Sequence, residues 1–372
     1  GSKSCIPCKL MAPILEDLKT RYADKMEVEF IDVSVRENLP KAKQYGIRMI
    51  PTQVFLDADG KELWRHEGFI SGFGILDKFR ELGYGFAAEA LKPKLTRMEP
   101  VKQDERRKDA MCFMCDGDLP AETLVVVKTD KGDVKLCGMH HFFVMYSCMT
   151  EDTAGLEKKV SVADASGGEM LPLADAVLLY GVDEKTGRPW IKAFAGRAAA
   201  QKHQATAGGS VISYEALKQK ELASRCGFCD RAAYPEDAAS VKVGGIHTFG
   251  CCSHCALGVA ARTGGTIEVH QPDRRSGEMI TVQTLGGYVV SVEPKTAVAW
   301  FGLRRKPDDS FGSAGCFHQG FFTSEESLKK WLEQNPSAVG RMISIDQALA
   351  DKMKLSPEQI AKACKVGECA PK

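Results

Sequence analysis

Cysteine pairs are the residues of this sequence whose type and spacing point most directly to chemistry. Six of the 14 cysteines form three Cys-x-x-Cys pairs, which are Cys5/Cys8, Cys112/Cys115 and Cys226/Cys229. Three more cysteines lie together in "CCSHC", at Cys251, Cys252 and Cys255. Such close spacing favours a redox-active pair or a soft-metal site over a structural disulfide that closes a long loop.

The composition is that of a globular protein with more than one domain. At 372 residues the chain is too long for a single ordinary core, so two or three domains are expected. The 50 basic and 49 acidic residues leave a net charge of +1, which gives no field that would favour nucleic acid or an anionic membrane. No run of about 18 apolar residues occurs, so the sequence predicts no membrane span.

The N-terminal part reads as helices and strands arranged around the first cysteine pair. After "CIPC", apolar residues recur at helical spacing, at Leu10, Ile14, Leu15 and Leu18. A strand is predicted over "MEVEFIDVS", a short helix over "LPKAKQYGI", a hairpin over "TQVFLDADGKELWRHEG" and a final helix over "ILDKFRELG". A Cys-x-x-Cys that opens a helix suits thiol–disulfide exchange, because the helix N-terminus stabilises a thiolate on Cys5, and Cys8 follows one turn later.

This segment resembles the thioredoxin family. The resemblance rests on "CIPC" (residues 5–8), on Pro13 inside the following helix, and on "IPT" (residues 50–52) just before a strand, where that family carries a cis-proline facing the cysteines. It implies an α/β thioredoxin fold and disulfide oxidoreductase activity, with Cys5 as the nucleophile, Cys8 as the resolving thiol and Pro51 in the substrate groove. The family's usual tryptophan before the first cysteine is replaced by Ser4.

Only "GSKS" precedes Cys5, whereas thioredoxins have a central strand that runs into the Cys-x-x-Cys. We therefore expect residues 1–88 to be an N-terminally truncated thioredoxin domain. A secretory signal could belong to the missing segment, which favours a periplasmic over a cytoplasmic location. The partner of such a domain would be an upstream thiol reductant or a membrane electron donor.

An internal repeat follows a charged segment with two prolines (residues 89–109), which reads as a linker. "CFMCD" at residues 112–116 returns as "CGFCD" 114 residues later, and Cys137 recurs at the same offset as Cys251. Two further segment pairs follow in the same order, which indicates a duplication. The predicted units are residues 110–222 and 223–350, each an α+β domain with mainly antiparallel strands, followed by a tail (residues 351–372) that contains Cys364 and Cys369.

The repeat resembles the superfamily shared by NosL-type copper lipoproteins and organomercurial lyases (MerB). In the first unit the likeness lies in "IKAFAGRAAAQKHQATAGGSVISYEAL", a strand and an alanine-rich helix followed by "GG" and a strand. In the second unit "GCFHQGFF" resembles the lyase segment in which a catalytic cysteine precedes "H-x-x-F-F", and "SHCA" resembles another lyase segment. The resemblance implies a NosL/MerB-like fold for both units.

Organomercurial cleavage requires two thiolates that grip a soft, linearly coordinated Hg(II) centre and a carboxyl group that protonates the leaving carbon. By resemblance, Cys316 is one thiolate, Cys226 or Cys229 is the second, and Asp230 is the proton carrier. The lyase pattern places its first cysteine three residues before the aspartate, whereas Cys226 lies four residues before Asp230. The sequence therefore favours Hg(II) or Cu(I) binding over carbon–mercury cleavage.

The clustered cysteines fit either of two kinds of metal site. Thiolate, thioether and imidazole ligands select Cu(I) and other soft ions, whereas four cysteines in two closely spaced pairs also suit structural Zn(II). In the first unit the zinc set would be Cys112, Cys115, Cys137 and His140, and the candidate soft-metal ligands also include Met114, Met139 and His141. In the second unit they are Cys226, Cys229, Cys252, Cys255 and, for a soft metal, Cys316.

Three functions remain open from the sequence. The first is a thiol–disulfide oxidoreductase fused to duplicated modules that handle a soft metal, Cu(I) or Hg(II), with the redox domain keeping the metal-binding thiols reduced. The second is an organomercurial lyase with its own reductant domain. The third is a set of zinc-stabilised, non-enzymatic binding modules on a redox adaptor.

Overall fold

The computed structural model describes residues 1–130, 132–149 and 155–361. Its N-terminal region contains α1 (Ile6–Arg21), α2 (Leu39–Gln44), β1 (Thr52–Leu56), β2 (Glu62–Glu67), α3 (Gly72–Glu81) and α4 (Gly85–Ala90). β1 and β2 form the predicted antiparallel hairpin. A small core joins this hairpin to α1 and α3 through Met11, Phe55 and Ile75. The helices and the hairpin therefore occur in the order that the sequence predicts.

The segment predicted as a strand over "MEVEFIDVS" is extended but belongs to no sheet in the described part of the chain. Its backbone pairs with Gly1, whose N-terminal amine donates to the Ile31 carbonyl and whose carbonyl accepts from the Val33 N–H, both at 2.9 Å. Two hydrogen bonds to one residue do not make a strand ladder, which needs a neighbouring extended segment along its length.

Part of the segment predicted as a linker (residues 89–109) is a strand of the C-terminal sheet. β3 (Thr96–Arg97) pairs antiparallel with Gly340 and Arg341. The Arg97 guanidinium donates to the backbone carbonyls of Leu332, Asn335 and Ala338. Leu332 lies in the last turn of the helix Glu325–Gln334, and Asn335 and Ala338 lie in the loop before the strand Gly340–Ile343. Arg97 therefore fixes the connecting segment to this helix end and its loop.

The first half of the remaining chain (residues 110–222) contains seven strands and three α-helices among its described residues. In chain order they are β4 (Val125–Thr129), β5 (Gly132–Leu136), α5 (Met139–Cys148), β6 (Val160–Ala163), β7 (Met170–Pro172), β8 (Val177–Val182), β9 (Pro189–Phe194), α6 (Arg197–Ala207), β10 (Ser210–Ile212) and α7 (Tyr214–Glu221). The strands form two antiparallel sheets with the orders β5-β4-β6-β7 and β10-β8-β9.

The second half (residues 223–350) is larger. Its elements are β11 (Ala239–Val243), β12 (Ile246–Gly250), α8 (Ser253–Thr263), β13 (Glu268–Pro272), β14 (Met279–Leu285), β15 (Tyr288–Glu293), β16 (Val298–Arg305), β17 (Phe311–Ser313), β18 (Gln319–Phe322), α9 (Glu325–Gln334), β19 (Gly340–Ile343) and α10 (Ile345–Met353), which runs three residues past it. α11 (Pro357–Ala361) follows. The sheet orders are β12-β11-β13-β14-β15 and β17-β16-β19-β3, with β18 also paired to β16.

Strand pairing follows one scheme in both halves. The hairpin β4–β5 and the pairs β4–β6 and β6–β7 correspond to β11–β12, β11–β13 and β13–β14. In the second sheets, β8 pairs with β9 and β10, and β16 likewise pairs with β18 and β19. The second half adds β15 and β17 to this scheme.

The two halves touch each other close to their cysteines. Asp116 of the first half forms an ion pair with Arg304 of the second half at 2.5 Å. The Ser147 hydroxyl accepts a hydrogen bond from the Ala232 N–H at 2.8 Å. The N-terminal region packs elsewhere, where Lys354 contacts Asp77 of α3 at 2.6 Å. These contacts bring the cysteine-bearing ends of the two halves side by side.

Candidate functional site

The redox pair lies at the start of α1. Cys5 immediately precedes the helix, its Sγ accepts a hydrogen bond from the Cys8 N–H at 3.2 Å, and the two cysteines form a disulfide. Cys8 is buried and Cys5 is half-buried, so Cys5 is the more accessible sulfur. The positive end of the helix dipole favours a thiolate at Cys5 once the disulfide is reduced.

Pro51 follows a cis peptide bond and directly precedes β1. Gln53 of β1 donates its side-chain N–H to Met11 Sδ of α1 at 2.8 Å, so the strand after Pro51 packs on the helix that carries the cysteine pair. Ile6 and Met49, neighbours of Cys5 and of the cis peptide, are 73% and 50% exposed. Exposed apolar side chains of this kind are suited to holding an extended protein substrate.

The first thiol cluster consists of Cys112, Cys115, Cys137 and His141, whose ligand atoms all lie within 4.8 Å of one another. His141 Nδ1 is 2.8 Å from Cys137 Sγ and 3.3 Å from Cys112 Sγ. The N–H groups of Cys137 and Gly117 donate to Cys112 Sγ and Cys115 Sγ, both at 3.4 Å. Three sulfurs and one imidazole nitrogen at such separations are a tetrahedral ligand set of the kind that binds Zn(II).

The histidine of this cluster is His141, whereas the zinc set predicted from the sequence contained His140. Cys137 directly follows β5 and His141 comes four residues later in the first turn of α5, so their side chains can meet. His140 points elsewhere, with Nδ1 2.6 Å from the Glu221 carboxylate and Nε2 3.2 Å from the Pro189 carbonyl. Burial acts to lower the pKa of His140, but Glu221 outweighs burial and raises it.

Charge within the first thiol cluster is shared between sulfur and imidazole. Hydrogen bonds from Cys115 and Cys137 hold the pKa of Cys112 well below its usual value, while Cys112 in turn raises the pKa of Cys137. Burial acts to lower the pKa of His141, but Cys112 and Cys115 outweigh burial and raise it to about 9. The cluster therefore favours a thiolate beside a charged imidazole, and a bound cation would displace the remaining protons.

The second thiol cluster contains six cysteines in two overlapping sets of four, and the sulfurs of each set lie within 4.8 Å of one another. The turn set consists of Cys226, Cys229, Cys251 and Cys255. The Cys316 set consists of Cys251, Cys252, Cys255 and Cys316. Cys251 and Cys255 belong to both sets.

The six cysteines lie on three segments of the chain. The first is the tight turn before β11 that carries Cys226 and Cys229. The second is the start of α8, where Cys252 caps the helix and its Sγ accepts the Cys255 N–H at 3.3 Å. The third is a single 3-10 turn, Cys316–His318, placed between β17 and β18. The strand pair β16–β18 holds this third segment against α8.

Sequence reasoning missed Cys251, which the structure places in both sets, and it grouped Cys252 with the turn cysteines. The signal was present in the sequence, because the offset of 114 residues between the two Cys-x-x-Cys turns also separates Cys137 from Cys251 and His141 from Cys255. All four members of the first thiol cluster therefore have a counterpart in the turn set.

In the second cluster, neighbouring thiols shift the pKa values of different cysteines in opposite directions. Hydrogen bonds from Cys229 and Cys251 hold the pKa of Cys316 well below its usual value. The pKa values of Cys251 and Cys255 are raised, first by Cys226. The pKa shifts therefore favour the thiolate form of Cys316 and the protonated forms of Cys251 and Cys255.

Asp230, the predicted proton carrier, belongs to neither of the two cysteine sets. Its backbone is left-handed (φ 59°), its carboxylate contacts Arg225 at 3.1 Å, and the residue is exposed. Its counterpart Asp116 has the same backbone conformation (φ 56°) but lies 3.2 Å from Nε2 of His318, two residues after Cys316. Burial acts to raise the pKa of Asp116, but His318 and Arg304 outweigh burial and lower it.

A cavity of about 370 Å³ lies between the two halves. Cys137 and His141 of the first cluster and Cys251 of the second lie in its wall, together with Phe317, whose ring is 5.0 Å from that of His141. Much of the remaining wall is apolar and comes from Val144, Trp190, Ile191, Ala232 and Ala233. The cavity therefore connects sulfurs of both clusters through a largely apolar space.

One further described cysteine, Cys148, belongs to neither cluster. Cys148 is buried in α5. The tail cysteines, Cys364 and Cys369, fall outside the described residues. None of the helices in the described ranges is both long and apolar enough to cross a membrane.

Comparison with known proteins matches two separate segments of the chain. Residues 2–75 match the family model of thioredoxin, and residues 235–354 match the family model of alkylmercury lyase (MerB). The second match includes the whole Cys316 set but begins after Cys226 and Cys229. The chain therefore contains a segment similar to thioredoxins followed by a segment similar to alkylmercury lyases.

Individual relatives agree with this division. An alkylmercury lyase of Bacillus cereus is 32% identical over 108 residues, which cover 28% of this chain and 47% of the relative. A thioredoxin of Bacillus subtilis (strain 168) is 42% identical over 65 residues, 18% of this chain and 60% of the relative. The chain thus spans about half the length of the curated relatives that it matches. A solved structure titled as the mercury-bound form of MerB2 aligns at 19% identity over 41% of this chain and 80% of that chain, with a TM-score of only 0.28.

Proposed function

We propose that this chain is a thiol–disulfide oxidoreductase joined to a domain that binds Hg(II) or an organomercurial through thiolates. The observation that carries the proposal is the Cys316 set, in which four sulfurs lie within 4.8 Å of one another inside the segment similar to alkylmercury lyases. Soft ions prefer thiolate ligands over oxygen. The mercury atom of an organomercurial cation is already bonded to carbon, so one sulfur completes its linear coordination. The neighbouring thiols can then bind the same mercury atom.

The cavity between the halves supports an organic substrate. Cys251 lies in its wall, so a mercury atom could reach that sulfur while its alkyl or aryl group rests against Trp190 and Phe317. Apolar lining with a few reactive groups is the usual character of a small-molecule site.

The thioredoxin domain has a chemical role in this scheme. Sulfurs as close as 3.6 Å, the separation of Cys229 and Cys251, are at risk of oxidation to a disulfide, which no longer binds metal. The Cys5–Cys8 dithiol would pass two electrons to such a disulfide, leaving two free cluster thiols and a Cys5–Cys8 disulfide. An upstream thiol reductant or membrane electron donor would restore the pair, and a periplasmic location fits this need.

The two halves are, in this proposal, copies of one NosL/MerB-like module. The common strand pairing, the left-handed Asp116 and Asp230, and the shared offset of 114 support a duplication. The first cluster combines three cysteines with His141, a set that suits Zn(II) and that also accepts Cu(I). A structural or stored ion in the first half would leave the second half as the reactive one.

Carbon–mercury cleavage is a second candidate, favoured by the similarity to alkylmercury lyases. The reaction breaks the carbon–mercury bond, gives the carbon a proton and leaves Hg(II) on sulfur, so it needs a proton donor at the metal. Asp230 pairs with Arg225 instead. The thiol protons of Cys251 and Cys255, whose pKa values are raised by Cys226 and its neighbours, are the proton source that the cluster itself offers.

Phenylmercury tests the proposed function. We expect the reduced full chain to retain one equivalent of mercury after gel filtration, and the diamide-oxidised chain to lose it. A Cys5→Ser/Cys8→Ser variant serves as the control, because it removes mercury binding at the redox pair. Benzene in the headspace would support cleavage, retained mercury without benzene would support capture, and loss of mercury from the reduced chain would contradict both.

A further inference from the structure

We propose that the second thiol cluster is a binuclear site that holds two tetrahedral divalent cations, Zn(II) or Cd(II), bridged by the sulfurs of Cys251 and Cys255. The turn set would surround one ion and the Cys316 set the other. The inference shares four cysteines with the proposed mercury site, but it does not depend on mercury being the substrate.

The separations between sulfurs match tetrahedral coordination. For a metal–sulfur bond of about 2.3 Å, two tetrahedral sulfurs lie about 3.8 Å apart, whereas two sulfurs on opposite sides of a linear ion lie about 4.6 Å apart. Cys251 Sγ is 3.6 Å from Cys229 Sγ and 3.7 Å from Cys316 Sγ. Cys255 Sγ is 4.0 Å and 3.7 Å from the same two sulfurs. All four distances are those of sulfurs that share a tetrahedral ion.

The same four distances identify the bridging ligands. Cys251 and Cys255 each contact Cys229, a member of the turn set, and Cys316, a member of the other set. Six sulfurs with two of them shared provide four ligands for each of two ions. This is the number that Zn(II) requires in closed sites.

The charge of the six thiolates also favours two bound ions over one. Six thiolates around a single divalent cation would leave four uncompensated negative charges among the buried apolar residues that surround this cluster. A second divalent cation reduces the excess to two. Buried charge without compensation is costly, so two ions stabilise the fully deprotonated cluster better than one.

The first thiol cluster provides an internal comparison. It has the counterparts of the turn set but not of the two further thiols, because Gly138 stands at the offset of 114 from Cys252 and no cysteine in "WIKAFAGRAA" corresponds to Cys316. The first cluster is therefore expected to hold one ion, and the two added thiols of the second cluster to hold another.

The test is a count of tightly bound ions on the full chain, reduced, loaded with cadmium and freed of excess by gel filtration. We expect three cadmium ions per chain, one in the first cluster and two in the second. Cys316→Ser should lower the count to two, and so should His141→Ala. His140→Ala is the matched control, since this neighbour of His141 faces Glu221, and it should leave the count at three.

A measurement on the unsubstituted chain tests the binuclear site without depending on whether the variants fold. With cadmium-113, two of the three resonances should be split by coupling through the shared sulfurs, and the third should be a singlet. A parent chain with two ions and no coupling would overturn the binuclear site. Retention of phenylmercury by that same chain would then leave the proposed function standing, so the two failures are distinguishable.

Discussion

Replacing Cys316 by serine should weaken retention of Hg(II) and phenylmercury by the reduced chain at least tenfold, or about 1.4 kcal/mol. Cys316 Sγ lies 3.7 Å from both Cys251 Sγ and Cys255 Sγ, and neighbouring thiols lower its pKa, which favours the thiolate form that binds a soft ion. A serine oxygen is a poor ligand for a soft ion. Competition against increasing cysteine concentration measures the change.

Cys148→Ala is the matched control for this experiment, because Cys148 is a buried cysteine that belongs to neither cluster. Its mercury retention should equal that of the parent. Equal retention in Cys316→Ser and the parent would remove Cys316 from the site and favour the reading of the second half as a zinc-stabilised module.

Replacing Cys5 by serine should reduce the catalysed reduction of insulin disulfides to the uncatalysed rate. Cys5 is the accessible sulfur at the helix start, and its thiolate begins the exchange. Cys8→Ser should behave differently, since it keeps the attacking thiolate and lacks the thiol that resolves the mixed disulfide. That variant should accumulate a covalent adduct with its substrate, visible by mass spectrometry.

Cys316→Ser controls for a general effect of losing a thiol, and its rate of insulin reduction should match that of the parent. The redox assignment would fail if Cys5→Ser retained full activity, or if Cys8→Ser formed no adduct while remaining folded.

The thioredoxin domain could be predicted well because its signals are local. The cysteine pair, the helical spacing after it, and the "IPT" segment each lie within a few residues of the structure they specify. The exception is the segment containing Ile31 and Val33, whose pattern suits a strand but which meets Gly1 rather than a neighbouring strand. A strand depends on its partner, which local sequence does not provide.

The ligand sets could be predicted only in part, because neighbouring residues on a helix point about 100° apart. The choice between His140 and His141 depends on where α5 begins, and the choice between Cys251 and Cys252 depends on where α8 begins. The offset of 114 residues relates Cys251 and Cys255 to Cys137 and His141 of the first cluster, whereas spacing rules alone favoured Cys252.

Long-range contacts could not be predicted from the sequence for a different reason. The pairing of β3 with β19 joins residues about 240 positions apart, and no local feature of the charged segment signals it. Asp230 has the right residue type for a proton carrier, but its left-handed backbone and Arg225 hold the carboxylate in solvent. Its counterpart Asp116 instead contacts His318 beside Cys316.

The location of mercury tests the central claim most directly. Crystals of the reduced full chain with one equivalent of phenylmercury would show the metal by anomalous scattering at the mercury absorption edge. We expect the strongest peak among the sulfurs of Cys251, Cys252, Cys255 and Cys316, next to the cavity that Phe317 lines. A strongest peak at Cys5 and Cys8, or at the first thiol cluster, would contradict it.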